Sequence, residues 1–373
     1  MKKVLISGTG LFTPEESITN QELIDSFNAY VELFNQRHAA EIERGEVQAL
    51  RTSFPEFVEK ASGIKARYVI NKSGILDPER MYPIIAERSD DEQSLQCEMA
   101  VKAVQEALAK AGKTGADIDA VIVACSNMQR AYPAMSIEIQ NAIGAKGFAF
   151  DMNVACSSAT FGLQTAADMI RSGSAKCVLM VNPEICSGHL EWRDRNCHFI
   201  FGDVCTTVIL EAEDTCTNPQ AWEIVGTKLQ TQFSNNIRNN FGFLNRCDES
   251  GVGKRDKLFH QEGLKVFKEV CPMVAEQISQ HLGELSLVST DLKRMWLHQA
   301  NSNMNALIAR RVLDRDPTPE ESPTILDTYA NTSSAGSIIA FHLHNQDLAT
   351  GDVGVICSFG AGYSIGSVIV KKR

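Results

Sequence analysis

The chain has 373 residues, of which 44% are hydrophobic and 22% charged, enough apolar material for two or three average domains or for one large α/β body. Its formal net charge of −10 argues against a nucleic-acid partner, because phosphate binding requires a basic surface. No apolar run reaches the ~18 residues that a membrane span needs, and the eleven cysteines lack the paired spacing of a disulfide framework or a zinc site. We therefore expect a cytoplasmic protein, without a metal, whose partners are small molecules or other proteins.

The N-terminal segment is expected to form a first strand over residues 4–6 that enters a tight turn at Gly8-Thr9-Gly10. A signal peptide is not indicated, because the apolar run breaks at Gly8 and no small-residue cleavage site follows. Thr19 then starts a helix that should continue toward Arg44. Residues 30–55, here named the excursion, are charged and weakly periodic, which predicts a surface segment; the surface region should extend to about residue 88.

The middle of the chain alternates helical and strand patterns. Ser89 is expected to cap a helix that ends at Gly112, and residues 119–125 form a continuous apolar run typical of a strand buried on both faces. Pro133 begins the next helix, and residues 148–154 form the strand that follows it. This alternation predicts an α/β fold with a mostly parallel sheet.

Cys156 lies at the junction between that strand and the next helix, which runs to Arg171. Either Ser157 or Ser158 can cap this helix. At a helix N-terminus the macrodipole favours the thiolate, the form that a nucleophilic cysteine needs. Taken alone, Cys156 is more simply a buried structural thiol, so the choice depends on the rest of the chain.

The second half of the chain repeats the first. A strand over residues 291–297 ends at His298, about 174 residues after the strand that ends at Cys125, and the turn at 330–334 follows the turn at 155–159 by about 175 residues. Two features at nearly the same offset predict duplicated β/α halves, residues 1–212 and 213–373, related by a pseudo-twofold axis. In this interpretation Cys156 and Asn331 occupy equivalent positions.

The repeat predicts a single site. Turns at the ends of strands in an α/β sheet converge on one pocket, so Cys156, His298 and Asn331 can meet there. Each of the three alone is better explained as structural, but together they suffice for acyl transfer through a thioester. The stretch 359–366 is glycine-rich but is followed by a strand and lacks the G-x-G-x-x-G spacing, so we reject a dinucleotide site.

Four stretches resemble the signature motifs of the β-ketoacyl-acyl-carrier-protein synthase III family, which has the thiolase fold. They are Ala155-Cys156-Ser157-Ser158, His298-Gln299-Ala300-Asn301, Ala330-Asn331-Thr332-Ser333 and Phe359-Gly360-Ala361-Gly362. The match covers nearly the whole chain apart from the excursion. It implies a fold of five αβαβα layers and a decarboxylating Claisen condensation in fatty-acid biosynthesis.

The resemblance also implies roles for residues. Cys156 takes an acyl group from acyl-CoA, while His298 and Asn331 assist decarboxylation of malonyl on its carrier protein. The N–H groups of Cys156 and Ala361 form the oxyanion hole; the family usually has glycine at the latter position, but a backbone donor survives that change. CoA and carrier-protein thioesters are the substrates, and no further cofactor is expected.

Other implied features lie around this centre. The segment with Tyr132 resembles one that forms a homodimer and sends an aromatic side chain into the partner's acyl pocket. Arg310 and Arg311 match a basic pair linked to carrier-protein docking, whereas a further arginine of the family is replaced by Asn303.

Phe57 and Ala61 stand where the family has a tryptophan and an arginine that hold the CoA adenine. Their loss removes contacts of roughly 1–2 kcal/mol, which two or three buried methylenes at about 0.8 kcal/mol each would offset. We therefore expect a medium-chain acyl primer.

Four alternatives remain open. An enzyme that joins two acyl chains, or that primes a polyketide or resorcinol pathway, would carry the same three residues. A chalcone-synthase-like enzyme fits the motifs at 298–301 and 359–362 less well, and a thiolase would need a second reactive cysteine, for which the surroundings of Cys357 do not match. A non-catalytic partner subunit would usually lack the nucleophile that this chain retains.

Overall fold

The structure is a computed structural model that describes residues 2–239, 244, 247, 249–251 and 258–373. The strands are β1 (Val4–Phe12), β2 (Glu16–Thr19), β3 (Ala66–Val69), β4 (Ala120–Ala124), β5 (Phe148–Met152), β6 (Cys177–Glu184), β7 (Val204–Ala212), β8 (Trp222–Ser234), β9 (Ile237–Arg238), β10 (His260–Gln261), β11 (Leu292–Leu297), β12 (Val353–Gly360) and β13 (Gly362–Lys372). The helices are α1 (Asn20–Arg37), α2 (Ala39–Glu43), α3 (Pro55–Ser62), α4 (Lys72–Leu76), α5 (Leu95–Ala111), α6 (Met135–Ala142), α7 (Ser158–Ser172), α8 (Gly263–Glu284), α9 (Ser302–Leu313), α10 (Leu326–Tyr329) and α11 (Gly336–Leu343).

A nine-stranded sheet with the order β11-β12-β13-β8-β1-β7-β6-β4-β5 forms the framework. The expectation of a mostly parallel sheet is wrong: among the described strands, five of its eight pairings are antiparallel and three are parallel. A helix crossover makes a strand parallel to its predecessor, but β12 turns directly into β13 and no α-helix separates β6 from β7. The sheet is therefore mixed.

Helices cover this sheet in the five layers that the resemblance implies. One core cluster joins α5 and α6 to the outer face of β4, β6 and β7, and a second joins α8 and α9 to β11, β12 and β13. The third cluster places α7 and α11 between the two halves of the sheet. The two halves meet where β1 pairs with β8, so the sheet is continuous across the pseudo-twofold axis.

The apolar run of β4 shows why its sequence lacks alternation. Val121 and Val123 belong to the cluster under α5 and α6, whereas Ile122 belongs to the cluster around α7. Successive side chains of a strand point to opposite faces, so both faces require apolar residues when both are covered. The same argument predicted this strand from sequence.

The two halves repeat, but not in the register that the sequence suggested. Asn153 and Asn331 each accept a hydrogen bond from the backbone N–H two residues on, at 2.8 and 2.9 Å. A residue with positive φ follows in each turn, Ala155 at 48° and Ser333 at 51°, and then a short 3-10 segment leads into α7 or α11. Asn331 therefore corresponds to Asn153 and not to Cys156.

The division of the chain into one half before and one half after residue 212 stays a prediction.

Some local predictions are also corrected. Gly8 and Gly10 lie inside β1 and form no turn; a Cβ atom at either would overlap the carbonyl groups of α5, so glycine is required by close packing. Thr19 does cap α1, in a capping box with Glu22, but that helix ends at Arg37, and α2 follows it before Arg44. The cap of α5 is Ser94 and not Ser89.

No helix within the described ranges combines the length and the apolar character needed to cross a lipid bilayer.

Candidate active site

Cys156 occupies a 3-10 turn, Ala155–Ser157, between β5 and α7. The positive φ of Ala155 turns the chain sharply before the cysteine. Gly360, at the end of β12, lies against it: a Cβ atom added there would be 2.6 Å from the Cβ of Cys156 and 3.1 Å from its Sγ. The turn that carries the nucleophile therefore depends on glycine in the opposite half.

Helix capping near Cys156 differs from the prediction. The Ser157 hydroxyl donates to the Ser364 carbonyl at 2.9 Å, and the Ser158 hydroxyl donates to the Ala155 carbonyl at 2.8 Å while accepting from the Val154 N–H. Neither hydroxyl accepts from a first-turn N–H of α7, because Ser158 bonds within the turn and Ser157 bonds the turn to β13.

The prediction that the helix N-terminus favours the thiolate is also wrong. Burial raises the pKa of the Cys156 thiol to about 11, and the charge of Glu184 acts in the same direction. Hydrogen bonds from the Ser333 hydroxyl and from the N–H groups of Cys156 and Ala361 oppose the increase without cancelling it. Desolvation outweighs these donors, so the resting Cys156 side chain is a neutral thiol.

The turn at 330–335 contacts Cys156 from the other half. The Ser333 hydroxyl donates to the Cys156 sulfur at 3.4 Å. The backbone of Asn331 is fixed on both sides, since its N–H donates to the Ile200 carbonyl at 2.9 Å and its carbonyl accepts from the Gly202 N–H at 3.0 Å. Its Oδ1 accepts from the Ser333 N–H, which leaves the amide N–H groups as the donors for a ligand.

His298 directly follows β11 and is buried, with its ring edge-on to Phe359 at a centroid distance of 5.2 Å. Burial lowers the pKa of its imidazole to about 4, against an opposing hydrogen bond with the Ser333 backbone. The imidazole is therefore neutral near pH 7. Its Nδ1 atom is buried and has no hydrogen-bond partner within the part of the chain that the structure describes.

Glu184 was missed by sequence reasoning, because an acidic residue at the end of a strand is an ordinary surface feature. It is fully buried, and its carboxylate accepts hydrogen bonds from the backbone N–H and hydroxyl groups of Ser126 and Ser334. Burial raises its pKa, while these four donors lower it. The carboxylate thus ties the turn after β4 to the turn that carries Asn331.

Two cavities meet at Cys156. The first, here named the entry cavity, measures about 470 Å³; Cys156, His298 and Asn331 all border it, and it extends to Phe57 on α3. The second, the inner cavity, measures about 270 Å³ and extends from Cys156 past Cys186 to His189. The three residues predicted from sequence are therefore brought together, as expected.

Beside Phe57, a residue that lines the entry cavity, lies a cation that sequence reasoning missed. The guanidinium of Arg195 lies over the ring of Phe57, 4.7 Å from its centroid. A guanidinium from a different element therefore lies beside Phe57, and the expected loss of contacts to the CoA head group stays a prediction. Arg195 belongs to the connection between β6 and β7, where no motif marks it. Ala61 contributes its carbonyl, which accepts from the Asn301 amide at 2.6 Å.

The remaining predicted residues lie outside both cavities. Tyr132 is 85% exposed, and Arg310 and Arg311 are exposed on α9, where Arg310 pairs with Asp316. Cys357 is buried in β12 and lines neither cavity, so it is not placed as a second reactive cysteine. Within residues 2–239, 244, 247, 249–251 and 258–373, no three His, Cys, Asp or Glu side chains form a group that could hold a metal ion.

Comparison with known proteins relates this site to a family. The chain matches the description 3-oxoacyl-[acyl-carrier-protein (ACP)] synthase III over residues 150–232, and the C-terminal part of the same family over residues 282–372. It is 62% identical over 350 residues to the β-ketodecanoyl-[acyl-carrier-protein] synthase of Pseudomonas aeruginosa, an alignment that spans 94% of this chain and 100% of that one.

More distant relatives agree. A β-ketoacyl-[acyl-carrier-protein] synthase III of Granulibacter bethesdensis is 27% identical over 378 residues, covering 100% of both chains. The crystal structure of a 3-oxoacyl-[acyl-carrier-protein] synthase III from Aquifex aeolicus superposes with a TM-score of 0.76 at 22% identity and covers 99% of each chain. The last similarity shows the common fold.

Proposed function

The chain belongs to the 3-oxoacyl-[acyl-carrier-protein] synthase III family, and we propose that it condenses a medium-chain acyl-CoA with malonyl-acyl carrier protein through a thioester on Cys156. It is an acyltransferase of the condensing type that serves fatty-acid biosynthesis. The observation that carries the proposed mechanism is that Cys156, His298 and Asn331 border one cavity.

In the first half-reaction, the Cys156 sulfur attacks the carbonyl carbon of acyl-CoA. The bond from that carbon to the CoA sulfur breaks, CoA leaves as the thiol, and the proton of Cys156 balances its charge. The N–H groups of Cys156 and Ala361 lower the pKa of the Cys156 thiol, which supports their proposed role as the donors that stabilise the oxyanion beside the sulfur. Because the resting thiol is neutral, its proton must leave as the new bond forms.

In the second half-reaction, malonyl-carrier protein loses CO₂ and leaves an enolate, whose carbon attacks the acyl carbonyl on Cys156. The Cys156 thiolate is released and takes up a proton, and the product is a β-ketoacyl thioester two carbons longer than the primer. A neutral imidazole N–H of His298 and the amide N–H of Asn331 stabilise the enolate oxygen without an acidic proton that would quench the carbanion. We propose no cofactor beyond these thioesters.

The primer length is supported by two observations. The Pseudomonas aeruginosa relative is named for a ten-carbon β-keto product, and condensation with malonyl adds two carbons, so that relative's name implies an eight-carbon primer. In this chain the inner cavity continues beyond Cys156, where Cys186, Ala155 and Ser333 are small. We therefore propose octanoyl-CoA as the preferred primer, with its chain in the inner cavity.

Mass spectrometry of the intact protein tests the mechanism. Incubation with octanoyl-CoA should add one octanoyl group, and later addition of malonyl-carrier protein should remove it as a β-ketodecanoyl product. Cys156→Ala should gain no acyl mass. His298→Ala and Asn331→Ala should keep the acyl group and fail to release it, because they act in the second half-reaction. Acylation of Cys156→Ala would refute the assignment.

Chain-length preference is tested by the ratio of turnover efficiencies for octanoyl-CoA and acetyl-CoA. The wild-type ratio should favour octanoyl. Cys186→Leu fills the inner cavity and should lower that ratio while leaving the acetyl reaction active. A wild-type preference for acetyl would contradict the proposed primer.

We further propose a homodimer formed along β5, the terminal strand of the large sheet. The other terminal strand, β11, is covered, since the Met295 N–H donates to the Glu321 carbonyl at 2.7 Å. Beside β5, by contrast, Phe148, Ile137 and Tyr132 are exposed. An uncovered strand edge with apolar neighbours favours pairing with a second copy.

Light scattering at micromolar concentration should give the mass of a dimer. Phe148→Lys puts a charge on β5 and should yield a monomer, whereas Val288→Lys, an exposed position near β11, should remain dimeric. A wild-type monomer would refute the homodimer.

Two further proposals concern the surroundings of the enzyme. The exposed pair Arg310 and Arg311 is the proposed docking point for the carrier protein on a chain whose net charge is −10.

A reducing cytoplasm is the proposed location, supported by the eleven cysteines, all of which are free thiols.

A further inference from the structure

Glu184, the last residue of β6, is a fully buried carboxyl group that the proposed mechanism does not use. Its Oε1 accepts from the backbone N–H of Ser126 at 2.9 Å and from that of Ser334 at 3.2 Å. The Ser126 hydroxyl donates to Oε2 at 2.5 Å, and the Ser334 hydroxyl donates to Oε1. Two separate turns therefore each bond this one side chain through their backbone and a hydroxyl, which fixes the distance between them.

The bonds at Ser126 continue to the turn that carries Cys156. The Ser126 carbonyl accepts from the Asn153 amide at 2.7 Å, and the Asn153 Oδ1 accepts from the Ala155 N–H at 2.8 Å. Ala155 has a positive φ and directly precedes the nucleophile. A chain of hydrogen bonds thus runs from Glu184 to the backbone beside Cys156.

The bonds at Ser334 hold the turn at 330–335, here named the Asn331 turn. Ser334 directly follows Ser333 in this turn. The Ser333 N–H donates to the Asn331 Oδ1 at 2.9 Å, and the Ser333 hydroxyl donates to the Cys156 sulfur at 3.4 Å. Because Glu184 bonds both the backbone and the hydroxyl of Ser334, the position of the Asn331 turn depends on the length of the glutamate side chain.

Condensation needs both turns at a defined separation. The enolate forms beside His298 and Asn331, whereas the acyl group that it attacks is bound to Cys156. An enolate that is misaligned with the acyl carbonyl takes up a proton from water instead and leaves acetyl-carrier protein. The separation of the two turns therefore decides between two products of the same decarboxylation.

We propose that Glu184 is a positioning residue for the second half-reaction, which holds the Asn331 turn at the distance from Cys156 where the enolate meets the acyl carbonyl. This inference rests on the proposed function and refines it. Acylation of Cys156 does not involve Asn331 and should not depend on this distance. Glu184 should therefore affect how efficiently decarboxylation leads to condensation, and not the first half-reaction.

The experiment starts from protein that already carries octanoyl on Cys156, to which malonyl-carrier protein is added. Mass spectrometry of the carrier protein measures the β-ketodecanoyl product of condensation and the acetyl product of decarboxylation alone. Glu184→Asp is shorter by one methylene, so its carboxylate cannot reach both turns, and the ratio of β-ketodecanoyl to acetyl product should fall about tenfold or more. Its rate of acylation by octanoyl-CoA should stay within about threefold of the wild type.

Glu184→Gln keeps the length of the side chain and is the conservative variant. Three of the four bonds end on Oε1, which an amide retains, and the Ser126 hydroxyl can accept from the amide nitrogen instead of donating. The product ratio of Glu184→Gln should therefore stay within about threefold of the wild type. Ser334→Ala keeps the carboxylate but removes one donor of the Asn331 turn, and it should lower the ratio by about threefold.

Glu211→Asp is the matched control. Glu211 is also a fully buried glutamate, and it bonds Lys113 at 2.9 Å. It lies opposite Cys177, the first residue of β6, whereas Glu184 is the last residue of that strand. The same shortening at this far end of the sheet should leave the product ratio unchanged.

A wild-type product ratio in either Glu184→Asp or Ser334→Ala would overturn the inference, and so would a Glu184→Gln variant that is impaired as much as Glu184→Asp. An equal fall of both products, or a loss of Cys156 acylation in Glu184→Asp, would overturn it as well, because either result indicates a general structural role. Failure of the proposed function has a different signature: the wild type itself would accept no octanoyl group or would form no β-ketodecanoyl product.

Discussion

At the scale of single residues, the protonation states of Cys156 and His298 bear directly on the proposed mechanism. Burial raises the pKa of the thiol to about 11 and lowers that of the imidazole to about 4. Both groups are therefore neutral across the physiological range, and the site holds no resting thiolate and imidazolium ion pair. This state suits a reaction in which His298 must donate a hydrogen bond without releasing an acidic proton.

We predict that alkylation of Cys156 by iodoacetamide accelerates about tenfold per pH unit between pH 7 and 9.5, because only the thiolate reacts. Peptide mass spectrometry after timed exposure measures the rate. Ser333→Ala should slow it further, since the hydroxyl that stabilises the thiolate is lost.

A short peptide with one cysteine and blocked termini serves as the comparison, because an unburied peptide thiol with a pKa near 8.5 levels off within this range. A plateau for Cys156 below pH 9 would mean that the helix N-terminus does stabilise the thiolate after all.

At the scale of elements, the active site depends on two turns, each held by the opposite half. Gly360 of β12 packs on Cys156, and the turn with Ser333 donates to the sulfur. Glu184 joins the second turn to the turn after β4. The catalytic geometry is therefore a property of the packed halves and not of either half alone.

Gly360→Ala should lower the rate of Cys156 acylation by about a hundredfold, because the added Cβ would displace the nucleophile by a few tenths of an ångström or more. Intact-mass kinetics with octanoyl-CoA measure the rate, and thermal melting monitors the fold.

Gly283→Ala on α8 is the matched control, since its new methyl group meets no atom within 4 Å. Its acylation rate should stay within about twofold of the wild type. Wild-type acylation by Gly360→Ala would show that the contact with Cys156 does not constrain the sulfur.

At the scale of the whole molecule, buried histidines should make the fold sensitive to acid. Burial lowers the pKa of His198 to about 3 and those of His281 and His298 to about 4, from 6.5. The unfolded chain binds more protons than the native state between these values and 6.5. Stability is therefore full above pH 6.5 and falls as the pH decreases toward 4.

His198→Phe tests this on one residue. Neither ring nitrogen of His198 has a hydrogen-bond partner among the described residues, and the ring lies 4.5 Å from that of Phe27, so a phenyl group retains the packing. The free energy of unfolding lost between pH 7 and pH 5 should be about 2 kcal/mol smaller in this variant.

Urea denaturation at the two pH values measures the difference. His38→Phe, at a half-exposed position, is the control and should leave the loss unchanged. Burial raises the pKa of Asp203 to about 6, which acts in the opposite direction, but this effect is common to all three proteins and cancels in the comparison. An unaltered pH dependence in His198→Phe would refute the assignment to that residue.

The sequence by itself determined the chemistry and the class of fold. Cys156 and His298 follow strand patterns that are legible within a few residues, whereas Asn331 follows α10 and was located by the repeated turn motif. The apolar run at residues 119–125 likewise predicted a strand with helices packed on both faces. Successive side chains of a strand point to opposite faces, so a run without polar residues indicates that both faces are buried. Such local signals predicted the α/β class and the convergence of the three residues, and the resemblance of four motifs predicted the family, which is confirmed.

Only the tertiary structure decided the rest. The pKa of Cys156 depends on how much water the surrounding elements exclude. The position at a helix N-terminus, considered alone, predicted a lowered pKa, whereas burial raises it. The direction of each strand depends on how the chain connects one strand to the next in space. The alternation of helix and strand patterns therefore did not predict the antiparallel pairs, such as β12 with β13 and β6 with β7. Arg195 lies over Phe57 while its Nε–H donates to the carbonyl of Thr52, 143 residues earlier in the chain. Long-range contacts of this kind have no period or spacing to mark them in the sequence.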